Sequence, residues 1–402
     1  MPFFDRSTKP LLVLWVVGTA IGSVTSIASW SFHMDGAVRQ LANLVYMFAL
    51  PGWVTMYGLG LSGIRDHPLG IISANAIGWA FWCLVILIVW KVRGRWVAKG
   101  QTQDDGPENP SRRAFLAHGV LGVGAVGAVA SPTYATLVEP WSMKVRRYSI
   151  PIKGLPEAFE GLRLVQFSDS HLGPRIPASF VEFAVKQVVG LRPDVLLLTG
   201  DYIHDGTGEI DQAAALCKPM IDAARFGAVG VLGNHDWWGD GPAMVSALRA
   251  QGVRMIDNAR VWLDGSGGGL GEDPVPGGLA FVGLGDLMED TIDTGRAFAS
   301  VDESTPRIVL AHHPDTAELP VLVDPGSPRV DLMFSGHTHG GQVRLPFIGT
   351  PLVPSRFGSK YAGGLVQGPA CPVVVSRGIG MSLLPVRFGV PPEIVEVTLT
   401  RA

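Results

Sequence analysis

Cysteine is scarce in this chain. Three occur among 402 residues and no two stand in a Cys-x-x-Cys spacing, which excludes a thiolate zinc site and a dithiol redox motif. Cys83 lies in an apolar stretch, so only Cys217 and Cys371 are left as a conceivable bridge. Charge is scarce as well: charged residues make up 17% of the chain and the formal net charge is -3. No basic stripe or acidic tail stands out after residue 150, so nucleic acid is not expected as a partner.

Apolar sequence is abundant instead, and it is unevenly spread. Four long apolar stretches fall before residue 140, while the remainder has the mixed composition of a globular domain. Three of them, at about 11–30, 41–60 and 70–90, reach the roughly 20 residues that cross a bilayer. The third carries no charge between 71 and 90, and Trp79, Trp82, Trp90 and Trp96 suit interfacial positions. Behind it, Lys91, Arg93, Arg95 and Lys99 lead into a polar linker, a basic connection expected in the cytoplasm.

Next come Ser111-Arg112-Arg113-Ala114-Phe115-Leu116, a small-residue apolar run and Thr133-Tyr134-Ala135. This resembles a twin-arginine export signal with a small-residue cleavage site, although it lies inside the chain. An ordinary fourth helix with basic flanks accounts for the same residues. Either reading carries the following domain out of the cytoplasm; Lys144, Arg146 and Arg147 oppose that placement but are outnumbered by the basic residues before the segment. The expected organisation is three transmembrane helices within 1–97, a linker over 98–113, a fourth transmembrane or signal-anchor helix over 114–138, and an extracytoplasmic domain over 145–402.

Within that domain, strand-like runs at 162–167, 195–199, 228–232, 279–282, 307–311, 332–334 and 372–375 alternate with helical spacing at 179–189 and 243–250. Such alternation suggests layered sheets covered by helices, an α/β architecture. The glycine-rich run 265–278 reads as a flexible loop between strands.

Five clusters follow apolar runs in order: Asp169-Ser170-His171, Gly200-Asp201, Gly233-Asn234-His235-Asp236, His312, and Gly336-His337-Thr338-His339. They are the donors a two-cation phosphoesterase site needs. Two divalent cations about 4 Å apart can clamp a phosphoryl group and lower the pKa of a shared water. Asp169 and His171, two apart on an extended segment, point to one side and can grip one ion. Asp201 is placed to bridge, Asn234 offers a neutral oxygen to the second ion, and His337 and His339 again share a face. This mix suits Mn, Fe or Zn better than Mg or Ca.

These ordered motifs resemble those of the calcineurin-like metallophosphoesterases, in the branch of membrane-attached bacterial phosphohydrolases. The likeness covers about residues 150–400 and extends through Gly340-Gly341-Gln342 and Ser376-Arg377-Gly378-Ile379-Gly380. It implies a four-layer sandwich of two mixed β-sheets flanked by helices. It also implies that Asp169, His171, Asp201 and His339 hold one ion and Asp201, Asn234, His312 and His337 the other. His235 is then the acid that protonates the leaving alkoxide or steadies phosphoryl charge, with Asp236 as its orienting partner.

Other residues stay open at this level. His313 competes with His312, His204 and Asp205 lie near Asp201, and Asp286 is either a support for the site or a turn carboxylate. Arg344, Tyr361 and Arg377 either contact substrate or stabilise loops. The substrate is a phosphomonoester, phosphodiester or pyrophosphate, and tethering near a bilayer points to a lipid-linked one. The rival from another class is a membrane receptor or transport component that binds metal and phosphate without turnover. Intact donors and the presence of His235 weigh against it.

Overall fold

The computed structural model describes residues 133–382 and 384–402, together with 14–21, 23, 72, 73, 75–80, 82, 83 and 131. The chain divides into two units, Met1–Val138 and Glu139–Ala402. In the first, the described residues are mainly helical, and the Trp15 indole donates to the Ala76 carbonyl at 2.8 Å. No helix among the described residues is long and apolar enough to cross a membrane. The spans expected at about 11–30, 41–60 and 70–90 lie mostly outside the described residues, as do the linker and most of 114–138.

The second unit begins with β1 (Lys144–Ile152), β2 (Arg163–Phe167), α1 (Ala178–Leu191), β3 (Val195–Thr199), α2 (Ile210–Ala223), β4 (Ala228–Val231), α3 (Asn234–Ala250) and β5 (Val253–Met255). It continues through β6 (Ala259–Asp264), β7 (Gly269–Gly271), β8 (Leu279–Gly283), β9 (Arg307–Leu310), β10 (Leu332–Ser335), β11 (Gly364–Gln367), β12 (Pro372–Val375) and β13 (Glu393–Arg401). The first sheet has the order β1-β13-β2-β3-β4-β5 and the second β11-β12-β10-β9-β8-β6-β7. Both are mixed. In the first, only the β13–β2 pairing is antiparallel, and in the second β12, β10, β9 and β8 form a parallel centre with antiparallel neighbours.

Strand β3 shows why the central strands read as unbroken apolar runs. Val195 and Leu197 face the second sheet, while Leu196 and Leu198 face the helices, so both sides are buried. On the outer side of the first sheet lie Phe180, Val181, Ala184, Val185 and Val188 of α1, one helical stripe. Arg192, in a left-handed conformation ahead of Pro193, ends that helix. On the far side of the second sheet, Ala317 and Leu322 of two short helical turns cover Val309, Met333 and Val373. The result is the four-layer arrangement expected from the resemblance.

Several local expectations are corrected. Helix α2 escaped notice because Pro219 interrupts its pattern. Helix α3 begins at Asn234, not at 243: Asp240 leaves helical geometry, and its carboxylate caps the second half by accepting from Ala243 N–H at 2.9 Å. The glycine-rich run is not wholly loop, since Gly269–Gly271 pairs with β6 as an edge strand. Cys217 and Cys371 are free thiols, buried in different cores on opposite sides of the sandwich, so they form no bridge.

Candidate metal centre

Each motif leaves the carboxyl end of a parallel strand: Asp169 and His171 after β2, Asp201 after β3, Asn234 and His235 after β4, His312 after β9, His337 and His339 after β10. Two sheets thus present their strand ends to one spot. Donor atoms of Asp169, His171, Asp201 and His339 all lie within 4.8 Å of one another, and so do those of His312, His313 and His337. Asp201 joins the groups, with Oδ2 3.3 Å from His171 Nε2 and 3.2 Å from His312 Nε2. The ring nitrogens of His171 and His339 face each other at 2.8 Å, and His339 Nε2 is 3.5 Å from Asp169 Oδ1. On the other side, His337 Nδ1 is 3.0 Å from Asn234 Oδ1.

The convergence is not made by extended backbone, as the two-residue spacing suggested. Asp169, His171, Asp201, His337 and His339 all have positive φ, between 46° and 66°. Left-handed backbone costs about 1–3 kcal/mol at each non-glycine residue and clusters where function demands it. Glycine is required here for close approach. A Cβ on Gly233 would stand 2.3 Å from Asp201 Oδ1, and one on Gly336 2.2 Å from Asp169 Oδ2.

Hydrogen bonds behind the donors set their orientation. Gln166 donates to Thr199 Oγ1 at 2.8 Å, Thr199 to Ser168 Oγ at 2.7 Å, and Ser168 to Asp169 Oδ2 at 2.5 Å, a directed chain ending on a donor carboxylate. Asp169 Oδ1 also accepts from His337 N–H at 2.8 Å. His312 Nδ1 donates to the Thr199 carbonyl at 2.7 Å, which turns Nε2 toward Asp201. The fully buried Arg387 donates to the carbonyls of Arg377, Gly378, Gly380 and Val390, bracing the loop behind His339.

The structure sorts the open residues. His313 Nδ1 lies 3.1 Å from Asp286 Oδ2, and its ring lies 3.8 Å from that of His337, so it stands beside the second group. Asp286 both supports the site through His313 and caps a turn, accepting from Met288 and Glu289 N–H. Tyr361 and Arg377 turn elsewhere: the buried phenol donates to Glu318, and the guanidinium pairs with Glu393 at 3.0 Å. Arg344 and Asp205 are exposed.

His235 has a different partner from the one expected. Its Nδ1 donates to the His204 carbonyl, the His204 ring stacks against it at 5.3 Å, and its Nε2 is 3.2 Å from the Ser382 hydroxyl. Asp236 instead accepts from the backbone N–H groups of Asp201 and Tyr202 at 2.8 Å and Gly233 at 2.9 Å, with Ile203 at 3.4 Å. It grips the loop that carries Asp201, because the first turn of α3 aims its side chain back at that loop.

Protein groups alone polarise the cluster. Burial pushes the Asp169 and Asp236 carboxyls up, and the nearby Asp201 charge adds to both shifts. Burial opposes charge on His312, but the adjoining Asp201 carboxylate outweighs it and raises the ring to about 10. Burial likewise works against Asp201, yet His312 holds it well below the usual carboxylate range. Burial, then the neighbouring positive groups, lowers His171, His337 and His339 well below an ordinary histidine, leaving neutral imidazoles.

Carboxylates, neutral imidazoles and an amide oxygen, held at contact distance with the buried His313 Nε2 lacking a hydrogen-bond partner, fit divalent cations. A cation taken up there must displace the His312 proton and the proton favoured on Asp169. Free protein then binds more protons than the complex, so affinity should rise with pH up to about 10, where His312 gives up its proton unaided. Calorimetric titration of Mn²⁺ in buffers of different ionisation enthalpy should detect proton release at pH 7. Release of none would contradict the charge pattern.

Residues 162–341 match the calcineurin-like phosphoesterase family. The chain is 33% identical over 293 residues to the uncharacterized metallophosphoesterase YkuE of Bacillus subtilis, covering 72% of this chain and 97% of that protein. It is 26% identical over 354 residues to the transmembrane protein with metallophosphoesterase domain of Danio rerio, covering 84% of this chain and 75% of that one. It is also 27% identical over 325 residues to the UDP-2,3-diacylglucosamine pyrophosphatase LpxG of Chlamydia trachomatis, covering 65% and 90% respectively. With its two mixed sheets and its buried donors at their strand ends, the chain belongs to the calcineurin-like phosphoesterase family of metal-dependent phosphoric ester hydrolases.

Proposed function

We propose that this chain is a membrane-anchored phosphoesterase with two divalent cations, acting outside the cytoplasm on a lipid-linked phosphate or pyrophosphate. The observation that carries the two-cation reading is Asp201, whose single Oδ2 faces both groups of donors. Asp169, His171, Asp201 and His339 would hold one ion, and Asp201, Asn234, His312 and His337 the other, with Mn, Fe or Zn suited to the set. Bound there, such cations supply Lewis acidity and a nucleophilic water at neutral pH.

The chain's own residues orient and protonate. With Nδ1 committed to the His204 carbonyl, His235 keeps Nε2 as its other ring nitrogen, 3.2 Å from the Ser382 hydroxyl, and its ring lies 4.5 Å from that of His171. That nitrogen is suited to give a proton to the departing ester oxygen. Asp236 contributes by keeping the Asp201 loop in its left-handed turn, not through His235.

Support for a lipid-linked substrate comes from the apolar stretches before residue 140 and from the name of the chlamydial relative, a pyrophosphatase of a diacylated nucleotide sugar. The name of the zebrafish relative, a transmembrane protein, supports anchoring. Digestion of the C-terminal domain by protease added to intact spheroplasts would support the external placement, and its protection would overturn it.

His235→Ala should lower turnover about 10²–10⁴-fold while metal content stays unchanged. The deficit should be smaller for p-nitrophenyl esters than for alkyl esters, because a good leaving group needs less protonation. The assay is metal-dependent product release from both kinds of ester. Equal deficits on both would remove His235 from the acid role, and no hydrolysis by the metal-loaded wild-type chain would favour a binding protein.

A further inference from the structure

Residues 332–392 contain no Asp or Glu but carry Arg344, Arg356, Lys360, Arg377 and Arg387. Arg387 is buried among carbonyls and Arg377 is paired with Glu393, so Arg344, Arg356 and Lys360 are left at the surface, where Lys360 also reaches Glu318. Directly after Arg344 a small hairpin projects. Leu345 N–H donates to the Gly349 carbonyl at 2.8 Å and Gly349 N–H to the Leu345 carbonyl at 3.0 Å, which closes a tip of Pro346, Phe347 and Ile348. The root is fixed where Arg344 N–H donates to the Phe388 carbonyl at 2.7 Å.

Phe347 is fully exposed and Ile348 is 72% exposed. Phe347 has φ of +64°, a conformation unfavourable for an aromatic residue, so local strain accompanies its outward position. A convex tip of two large apolar side chains offers too little area for a stable protein interface, which needs about 800 Å² from each partner. Lipid can deform around such a tip. Apolar residues beside an exposed arginine, in a segment of sequence without acids, match the boundary between anionic headgroups and acyl chains.

We propose that the hairpin 345–349 is a membrane-docking tip, in which Phe347 and Ile348 enter the interface of an anionic bilayer while Arg344 at its root meets a phosphate. This rests on the membrane-anchored reading only for bringing the domain beside a bilayer. Held there by both its N-terminal segment and this tip, the domain would take phosphoesters from the bilayer surface instead of from bulk solution.

The test uses the full chain in vesicles of phosphatidylcholine with or without phosphatidylglycerol. An environment-sensitive fluorophore is placed at Ile348→Cys or, as a control in the exposed glycine-rich loop, at Ser266→Cys, with the signal of the unsubstituted chain subtracted. Brominated lipids should quench the label at 348 at least about twofold more than that at 266. The difference should grow with phosphatidylglycerol, shrink in high salt, and fall in Phe347→Ser. Resistance of the chain to alkaline carbonate reads anchoring separately. A retained chain with equal quenching at both positions overturns the tip alone. A label at 348 that becomes buried with rising protein density in neutral vesicles overturns it in favour of a second copy of the chain.

Discussion

Asp201→Asn should abolish phosphoester hydrolysis while leaving the domain folded. Its carboxylate faces both sets of donors, and an amide offers a single neutral oxygen in its place. The backbone should not suffer: Oδ1 can still accept from His235 N–H, a bond of 2.9 Å, and the grip of Asp236 on the loop does not involve the Asp201 side chain. Cation catalysis is worth several kcal/mol, so the expected loss in kcat/KM is at least about 10³-fold. Metal analysis should show fewer ions per chain than in wild type, and the thermal melt of the cation-free protein should hold. Turnover near wild type would refute the bridging role.

Asp236→Ala should fail differently, through the fold. Three well-formed backbone bonds and one longer one end on this buried carboxylate, and alanine leaves all four N–H groups without an acceptor. An unsatisfied buried donor costs about 1–3 kcal/mol. Relaxation and shared donors keep the sum below simple addition, so about 3–5 kcal/mol is expected. That is a large part of the 5–15 kcal/mol typical of a folded domain. Urea unfolding should show it, and loss of activity should follow loss of the Asp201 turn. Asp236→Asn keeps one acceptor oxygen and should stay folded with intermediate stability. A fully stable but inactive Asp236→Ala protein would point back to a direct catalytic role.

Sequence patterns reached some elements and not others for physical reasons. Runs such as 195–199 and 372–375 match their strands end to end because a strand buried on both faces must be apolar throughout. Strand β1 was missed because Lys144, Arg146 and Arg147 are exposed in its first half and mimic a charged linker, and it pairs with β13, across most of the domain in sequence. Within the site, Ser168 and Thr199 could have been noticed as hydroxyl residues just ahead of the two acidic motifs. Arg387 could not, since its acceptors are backbone carbonyls that no side-chain pattern reveals.

By itself the sequence determined the kinds and order of the donors, their position behind strand-length apolar runs, and the family. Those properties are local, carried by side-chain chemistry and by the burial of single strands. Tertiary structure alone decided that Asp236 braces a loop while the His204 carbonyl holds His235, and that Phe347 projects into solvent. These depend on left-handed turns and on contacts between strand ends of two sheets, where residues as distant as His171 and His339 meet. Geometry of that kind arises only when the layers close on one another.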